Sequence, residues 1–208
     1  MRLNEKHAPF NMTYLQRMME VISYSLNTYP QTTVIRVDLH LPQYHDLDDS
    51  IICLPNLKQG LISRFIDSLK AKIKAYLRKK IREGKRTHST SLRYLWVREQ
   101  PDPGGKSHYH LALFVNTNCF NTLGCSDAKG TGLASLIQKA WLSALDISDW
   151  SDARTLVHIP DNPLYYLSSK DLNFKEVLDE LTYRLSYMAK HETKSYGRAE
   201  RSFGCSSS

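Results

Sequence analysis

The chain has 208 residues, of which 41% are hydrophobic and 24% charged, and a formal net charge of +7. This is the composition of an ordinary globular protein, long enough to bury a core as one compact domain; it excludes disordered and fibrous classes. No apolar stretch reaches membrane-spanning length, and Met1-Arg-Leu-Asn-Glu-Lys lacks the apolar core of a signal peptide, so a cytoplasmic protein with no membrane partner is expected.

Phe10 to Leu26 has helical spacing (Tyr14, Met18, Val21, Ile22, Leu26), making residues 1–30 an N-terminal helical extension. Thr32 to Leu41 alternates like a half-buried strand and stops at Pro42, and the acidic stretch Asp46 to Ser50 reads as a loop. Leu57 to Arg82 predicts a long helix with one apolar stripe from Leu61 to Ile81, which Gly84 can end. Ser91 to Glu99 is a strand, Pro101 to Lys106 a turn, and His108 to Val115 the second strand of a hairpin. A polar loop over 117–132 leads to a helix from Leu133 to Leu145 and a short strand from Arg154 to Ile159. Asn173 to Lys190 is a final helix capped by Asn173, and residues 195–208 form a flexible tail. Strand–helix–strand–strand–helix–strand is the order of an α+β, ferredoxin-like or RRM-like antiparallel sheet with helices on one face. On that plan the hairpin's second strand is central and its histidines lie on the open face.

The charge is unevenly spread. Leu57 to Arg86 carries 11 Lys or Arg against Asp67 and Glu83, a net of +9 that leaves the rest of the chain near −2. Lys72, Arg78, Lys79, Lys80, Arg82, Lys85 and Arg86 are therefore candidate contacts to a polyanion, with a merely solvated helix face as the plainer reading. The four cysteines (Cys53, Cys119, Cys125, Cys205) form no C-x-x-C pair, which argues against a zinc ribbon or a disulfide framework.

His108-Tyr109-His110 opens an apolar strand, and alternate strand residues face the same way, so two imidazoles project side by side. Buried imidazoles need partners or a metal. The hairpin can bring Glu99 near both. Two imidazoles and one carboxylate suit Mn²⁺, or Mg²⁺ when phosphate oxygens complete the shell. Tyr183 and Tyr187 lie four apart, on one helical face, with Lys190 a turn beyond. A tyrosine hydroxyl can attack a phosphodiester, and a nearby cation stabilises the charge that develops. Other chemistries fit less well: a nucleobase deaminase needs H-x-E and P-C-x-x-C, Gly130-Thr-Gly132 is not a P-loop, and G-x-S-x-G is absent.

Together, the His–hydrophobic–His strand and the tyrosine-bearing helix resemble the HUH endonucleases, the rolling-circle replication initiators and relaxases. Tyr183-x-x-x-Tyr187-x-x-Lys190 looks like the two-tyrosine initiators of small single-stranded DNA phages. Val34 to Pro42, Glu99 to Val115 and the ending Lys194-Ser-Tyr-Gly to Arg201-Ser-Phe-Gly-Cys-Ser are similar to the inovirus-type replication proteins of bacterial prophages, the YagK/YfjJ C-terminal-domain type. The resemblance implies His108, His110 and Glu99 as ligands of a divalent metal, Mn or Mg. It implies Tyr187 as nucleophile, Tyr183 as alternate nucleophile and Lys190 as a phosphate or metal-site helper. Asp38 and His40, on one face of the first strand, either support the site or are satisfied structural polar residues. The implied activity is nicking and joining of single-stranded or hairpin origin DNA through a 5′-phosphotyrosine link, with a host helicase and polymerase as partners. The competing expectation is a non-catalytic nucleic-acid-binding regulator on the same fold.

Overall fold

The computed structural model describes residues 1–42, 55–99, 107–124, 130, 132–147, 155–191 and 201–207. The acidic stretch Asp46 to Ser50, the turn Pro101 to Lys106 and the start of the expected strand at Arg154 lie outside them. Chain contacts divide the protein into two compact units. The first comprises Met1–Asp38, Ser89–Asn121 and Ile159–Ser208; the second comprises Leu39–His88 and Thr122–His158.

In the first unit, helix α1 (Met12–Thr28) begins where the Asn11 side chain accepts the Tyr14 amide at 3.2 Å, satisfying one of the free amides of a helix start. It buries Leu15, Met18, Val21 and Ile22. Strand β1 (Gln31–His40) crosses from the first unit into the second. Strands β2 (Arg93–Glu99) and β3 (His108–Asn116) form an antiparallel hairpin in which Glu99 stands directly opposite His108 and Val97 opposite His110. In the second unit, helices α2 (Leu61–Arg82) and α3 (Leu133–Leu145) pack together, with the Phe65 and Trp141 rings 5.8 Å apart. Strand β4 (Val157–His158) follows. Strand β5 (Leu164–Ser168), helix α4 (Phe174–Ser186) and strand β6 (Phe203–Cys205) belong to the first unit. The protein is thus α+β, with a six-stranded sheet of order β4-β1-β3-β2-β6 and β5 also paired to β1. Among the described residues no helix is long and apolar enough to cross a membrane.

Four sequence expectations change. First, the face carrying His108 and His110 is not open along its length. Ala112 and Phe114, on the same side of β3, join a core with Leu15, Met18, Val21 and Ile22 of α1 and Leu181 and Leu185 of α4. The apolar stripes of those two helices have to be buried, and this sheet face is where they bury. Second, α2 starts at Leu61 rather than Leu57, because the Arg64 guanidinium takes the carbonyls of Lys58 and Gln59 at 3.3 and 3.1 Å and holds that segment out of the helix. Its far end stops as expected: Gly84 takes φ +70°, and the amides of Gly84 and Lys85 return to the carbonyls of Ile81 and Lys80. Its apolar stripe, however, runs out of core. Leu69 and Ile73 are buried, but Ile81 is 61% exposed. The 22-residue helix, about 33 Å long, outruns the roughly 20 Å of α3.

Third, β5 pairs antiparallel with β1 from Gln31↔Ser168 to Ile35↔Leu164, where no strand was expected. Fourth, the expected tail contains β6, paired with β2 from Leu95↔Cys205 to Val97↔Phe203. Phe203 stacks on Tyr14 with ring centroids 4.2 Å apart. Gly204 is required there: a Cβ would sit 2.6 Å from the Trp96 indole.

Candidate functional site

The hairpin register and the end of α4 build the site, all of it within the first unit. Glu99, His108 and His110 present one ligand atom each, and those atoms lie within 4.8 Å of one another. The two Nε2 atoms of His108 and His110 are 3.2 Å apart, and His110 Nε2 is 3.4 Å from Glu99 Oε2. Glu99 is 2% exposed and His110 8%, whereas His108 is half-buried. The donor set, two imidazoles and a carboxylate, could hold a divalent ion of the Mn²⁺ type.

Asp38 orients this cluster. Its Oδ1 lies 2.6 Å from His110 Nδ1, which fixes a proton there and turns Nε2 toward Glu99 and His108. The same oxygen accepts from Arg36 Nη2 at 2.9 Å, and Arg36 Nη1 donates to the Leu111 carbonyl at 2.6 Å. Burial disfavours ionisation of Asp38, but the bond from His110 and the charge of Arg36 outweigh it and hold the carboxyl well below the usual carboxylate range. Burial pushes the His110 imidazole down. Its bonds to Asp38 and Glu99 prevail, so its pKa stands above the ordinary value. For Arg36 desolvation dominates and lowers the pKa, with Asp38 offsetting part of it.

The tyrosines separate. Helix α4 ends at Ser186, and Tyr187–Ala189 tighten into a 3-10 turn. Tyr187 donates to Glu99 Oε2 at 3.4 Å, with its ring 5.4 Å from the His110 ring. Lys190 Nζ lies 3.3 Å from the same carboxylate oxygen and 3.8 Å from the Tyr187 ring centroid. Three donors thus converge on one oxygen. Tyr183, one turn earlier, meets Arg2 instead, whose guanidinium sits 4.7 Å from its ring centroid. Although the two lie four residues apart, Tyr187 faces the Glu99–His110 cluster and the Tyr183 ring faces the Arg2 guanidinium. His40 meets His158, ring centroids 6.3 Å apart, and its carbonyl accepts from Trp141.

Two contributors were not singled out from the sequence. Arg36 was legible in principle, as a charge two residues from Asp38 on an otherwise apolar strand. His7, whose ring stands edge-on to Tyr187 at 4.9 Å, carries no local signal. The N-terminal residues reach Tyr187 by running beside α4 and its 3-10 turn: Asn4 N donates to Ser186 Oγ, Asn11 N to the Ala189 carbonyl, and His191 N to the Pro9 carbonyl.

In the second unit the basic residues lie on α2 and just beyond. Arg78, Lys79, Arg82, Lys85 and Arg86 are exposed; Lys72 and Lys80 are half-buried, and Lys80 covers the Tyr76 ring at 4.8 Å. Glu83 pairs with Lys85 at 2.7 Å and with Lys79 at 3.8 Å.

An α+β protein with a histidine–glutamate cluster beside a helix-end tyrosine is the class these observations define. The YagK/YfjJ C-terminal domain matches residues 1–206, and the chain belongs to that family. It is 38% identical over 200 residues to the protein YagK of Escherichia coli K12, covering 96% of this chain and 95% of the relative. It is 37% identical over 195 residues to YfjJ of the same organism, covering 93% of each. Both relatives are described as uncharacterized. No solved structure matches the chain.

Proposed function

We propose that the protein is an HUH-type endonuclease that nicks and rejoins single-stranded or origin-hairpin DNA and so starts rolling-circle replication of a phage or prophage, with Tyr187 as nucleophile. The observation that carries this reading is the convergence of the Tyr187 hydroxyl, the Lys190 ammonium and the His110 imidazole on Glu99 Oε2, each within 3.4 Å. The order β4-β1-β3-β2 is also that of a ferredoxin-like sheet, which supports the finer fold assignment.

His108, His110 and Glu99 would hold the divalent ion, Mn or Mg, with Asp38 fixing the His110 tautomer from behind. Such an ion polarises a phosphoryl oxygen and orients the scissile phosphate. Glu99 Oε2 is the hydrogen-bond acceptor of the Tyr187 hydroxyl and the first available acceptor of its proton. A bond forms from Tyr187 Oη to phosphorus, and the P–O3′ bond breaks. The 3′-oxygen takes up a proton as a free hydroxyl that a host polymerase can extend, and the 5′ side stays linked to the tyrosine. Lys190 supplies positive charge where phosphoryl transfer concentrates negative charge. The exposed cations Arg78, Lys79, Arg82, Lys85 and Arg86 suit a phosphate backbone, with binding that weakens steeply as salt rises. Those cations equally favour a second reading, a non-catalytic nucleic-acid-binding regulator.

A covalent-adduct assay separates the two. Labelled single-stranded DNA from the flanking phage or prophage region is incubated with Mn²⁺ and run on a denaturing gel. A DNA-linked band lost in Tyr187→Phe, in His110→Ala and in EDTA is expected. DNA binding without any adduct would leave the regulator.

A further inference from the structure

Tyr183 lines a cavity of about 730 Å³ together with Arg2, Tyr165, Tyr166, Glu180 and Arg184, all in the first unit. That volume falls in the range of about 300–1,000 Å³ found for small-molecule and cofactor sites. Its chemistry is specific. Three tyrosines offer flat apolar surface, and Arg2 lies over the Tyr183 ring as a planar cation. Flat aromatic and guanidinium surfaces are what unpaired bases stack upon. Two arginines, Arg2 and Arg184, are balanced by two carboxylates, Glu180 and Asp171, in the same lining. A bare phosphate or another acidic ligand gains little from such a balance. A neutral ring with amino groups on its edge gains from both halves of it.

We propose that this cavity binds an unpaired nucleobase of single-stranded DNA and favours a base with an exocyclic amino group over thymine. The proposal rests on the reading of the chain as a single-stranded DNA endonuclease and names a recognition subsite for it. Cytosine N4 can donate to a carboxylate, whereas thymine offers an oxygen acceptor and a methyl at the same position. Thymine against Glu180 or Asp171 would set acceptor against acceptor and leave both underbonded. Tyr183 then acts through its ring face, and its hydroxyl is not the reacting group.

Cytosine and thymine are of similar size, so the test compares fluorescein-labelled (dC)12 and (dT)12. Binding to the full chain is followed by fluorescence anisotropy in EDTA, where neither metal nor cleavage contributes. Wild type is expected to bind (dC)12 at least about five-fold tighter than (dT)12. Tyr183→Ala weakens (dC)12 about ten-fold, and Tyr183→Phe restores it, since stacking needs the ring alone. Glu180→Gln narrows the preference. If Tyr183→Ala fails to fold by circular dichroism, Tyr166→Ala, at a position 47% exposed, is expected to show the same weakening. Equal affinities for the two strands, with Tyr183→Ala unchanged, would overturn the proposal. So would free dCMP displacing (dC)12 mole for mole, which would make this a site for free nucleotides, or loss of the covalent adduct in Tyr183→Phe. The two readings fail separately. A failed subsite leaves the Tyr187 adduct intact, and a failed nuclease leaves no adduct but the same binding preference in EDTA.

Discussion

Charge is handled in opposite ways in the two units. In the first, Arg36, Asp38, Glu99, His110 and Lys190 are all buried and tied to one another through single atoms, Asp38 Oδ1 and Glu99 Oε2. In the second, the cations towards the end of α2 stand mostly in water, and Glu83, which pairs with Lys79 and Lys85, is itself exposed. Buried charges fix geometry, because each one that loses its partner is costly. Exposed charges fix little and remain available to a partner that brings its own negative charge. The difference separates a site that has to be pre-organised from a surface that has only to attract.

The largest effect on stability should come from breaking the buried set. Asp38→Ala strands the Arg36 guanidinium and should cost about 3–5 kcal/mol in urea unfolding of the metal-free protein. A loss below about 1 kcal/mol would mean that water or another acceptor reaches Arg36 and that the contrast between the units is weaker than drawn. Next comes metal. At a hundred-fold excess over its Kd, Mn²⁺ should stabilise the wild type by about 2.7 kcal/mol. His108→Ala and His110→Ala should melt at the same temperature with and without the ion.

The pH dependence is smaller and has two signs. The Asp38 carboxyl is held below its unfolded value of 3.8, so its contribution is complete above that pH and is lost as pH falls further. The His110 pKa stands above the unfolded 6.5, so its contribution is complete below 6.5 and is lost as pH rises through the folded value. Metal-free protein should therefore be more stable at pH 6 than at pH 8, and His110→Ala should flatten that slope. Mn²⁺ should show the reverse trend, binding better as pH rises, because it needs the imidazole unprotonated. The smallest effect on folding belongs to α2. Lys79→Ala and Arg82→Ala should each change stability by less than about 0.5 kcal/mol. If each cation meets a phosphate, its removal should reduce the salt slope of single-stranded DNA binding by about 0.7.

The sequence carried what depends on local pattern. Helix α3 spans Leu133–Leu145 as its apolar spacing predicts, and the hairpin sets Glu99 opposite His108 because the two strands are long enough to fix their own register. It was silent where an element is too short to show a period. Phe203–Cys205 has three residues, and its pairing with β2 is held by a stack on Tyr14, nearly 190 positions away. Leu164–Ser168 runs Leu-Tyr-Tyr-Leu-Ser, with no alternation to mark it, and is a strand because β1 lies beside it. The candidate site was legible in its cluster of Glu99, His108 and His110, and in the approach of Tyr187. The separate surroundings of Tyr183 were not, since spacing fixes a helical face and not what packs against it. Nor was the approach of His7, which depends on a path set entirely by contacts made at the other end of the chain.

Those contacts have a consequence for the order of events on the ribosome. Asn4, His7, Pro9 and Asn11 emerge about 180 residues ahead of their partners Ser186, Tyr187, His191 and Ala189. At about 5–20 residues per second, the opening segment waits roughly 10–40 s for them. During that interval the oxygen on which three donors converge has at most one of them. A nascent chain thus holds the histidines long before it holds the tyrosine.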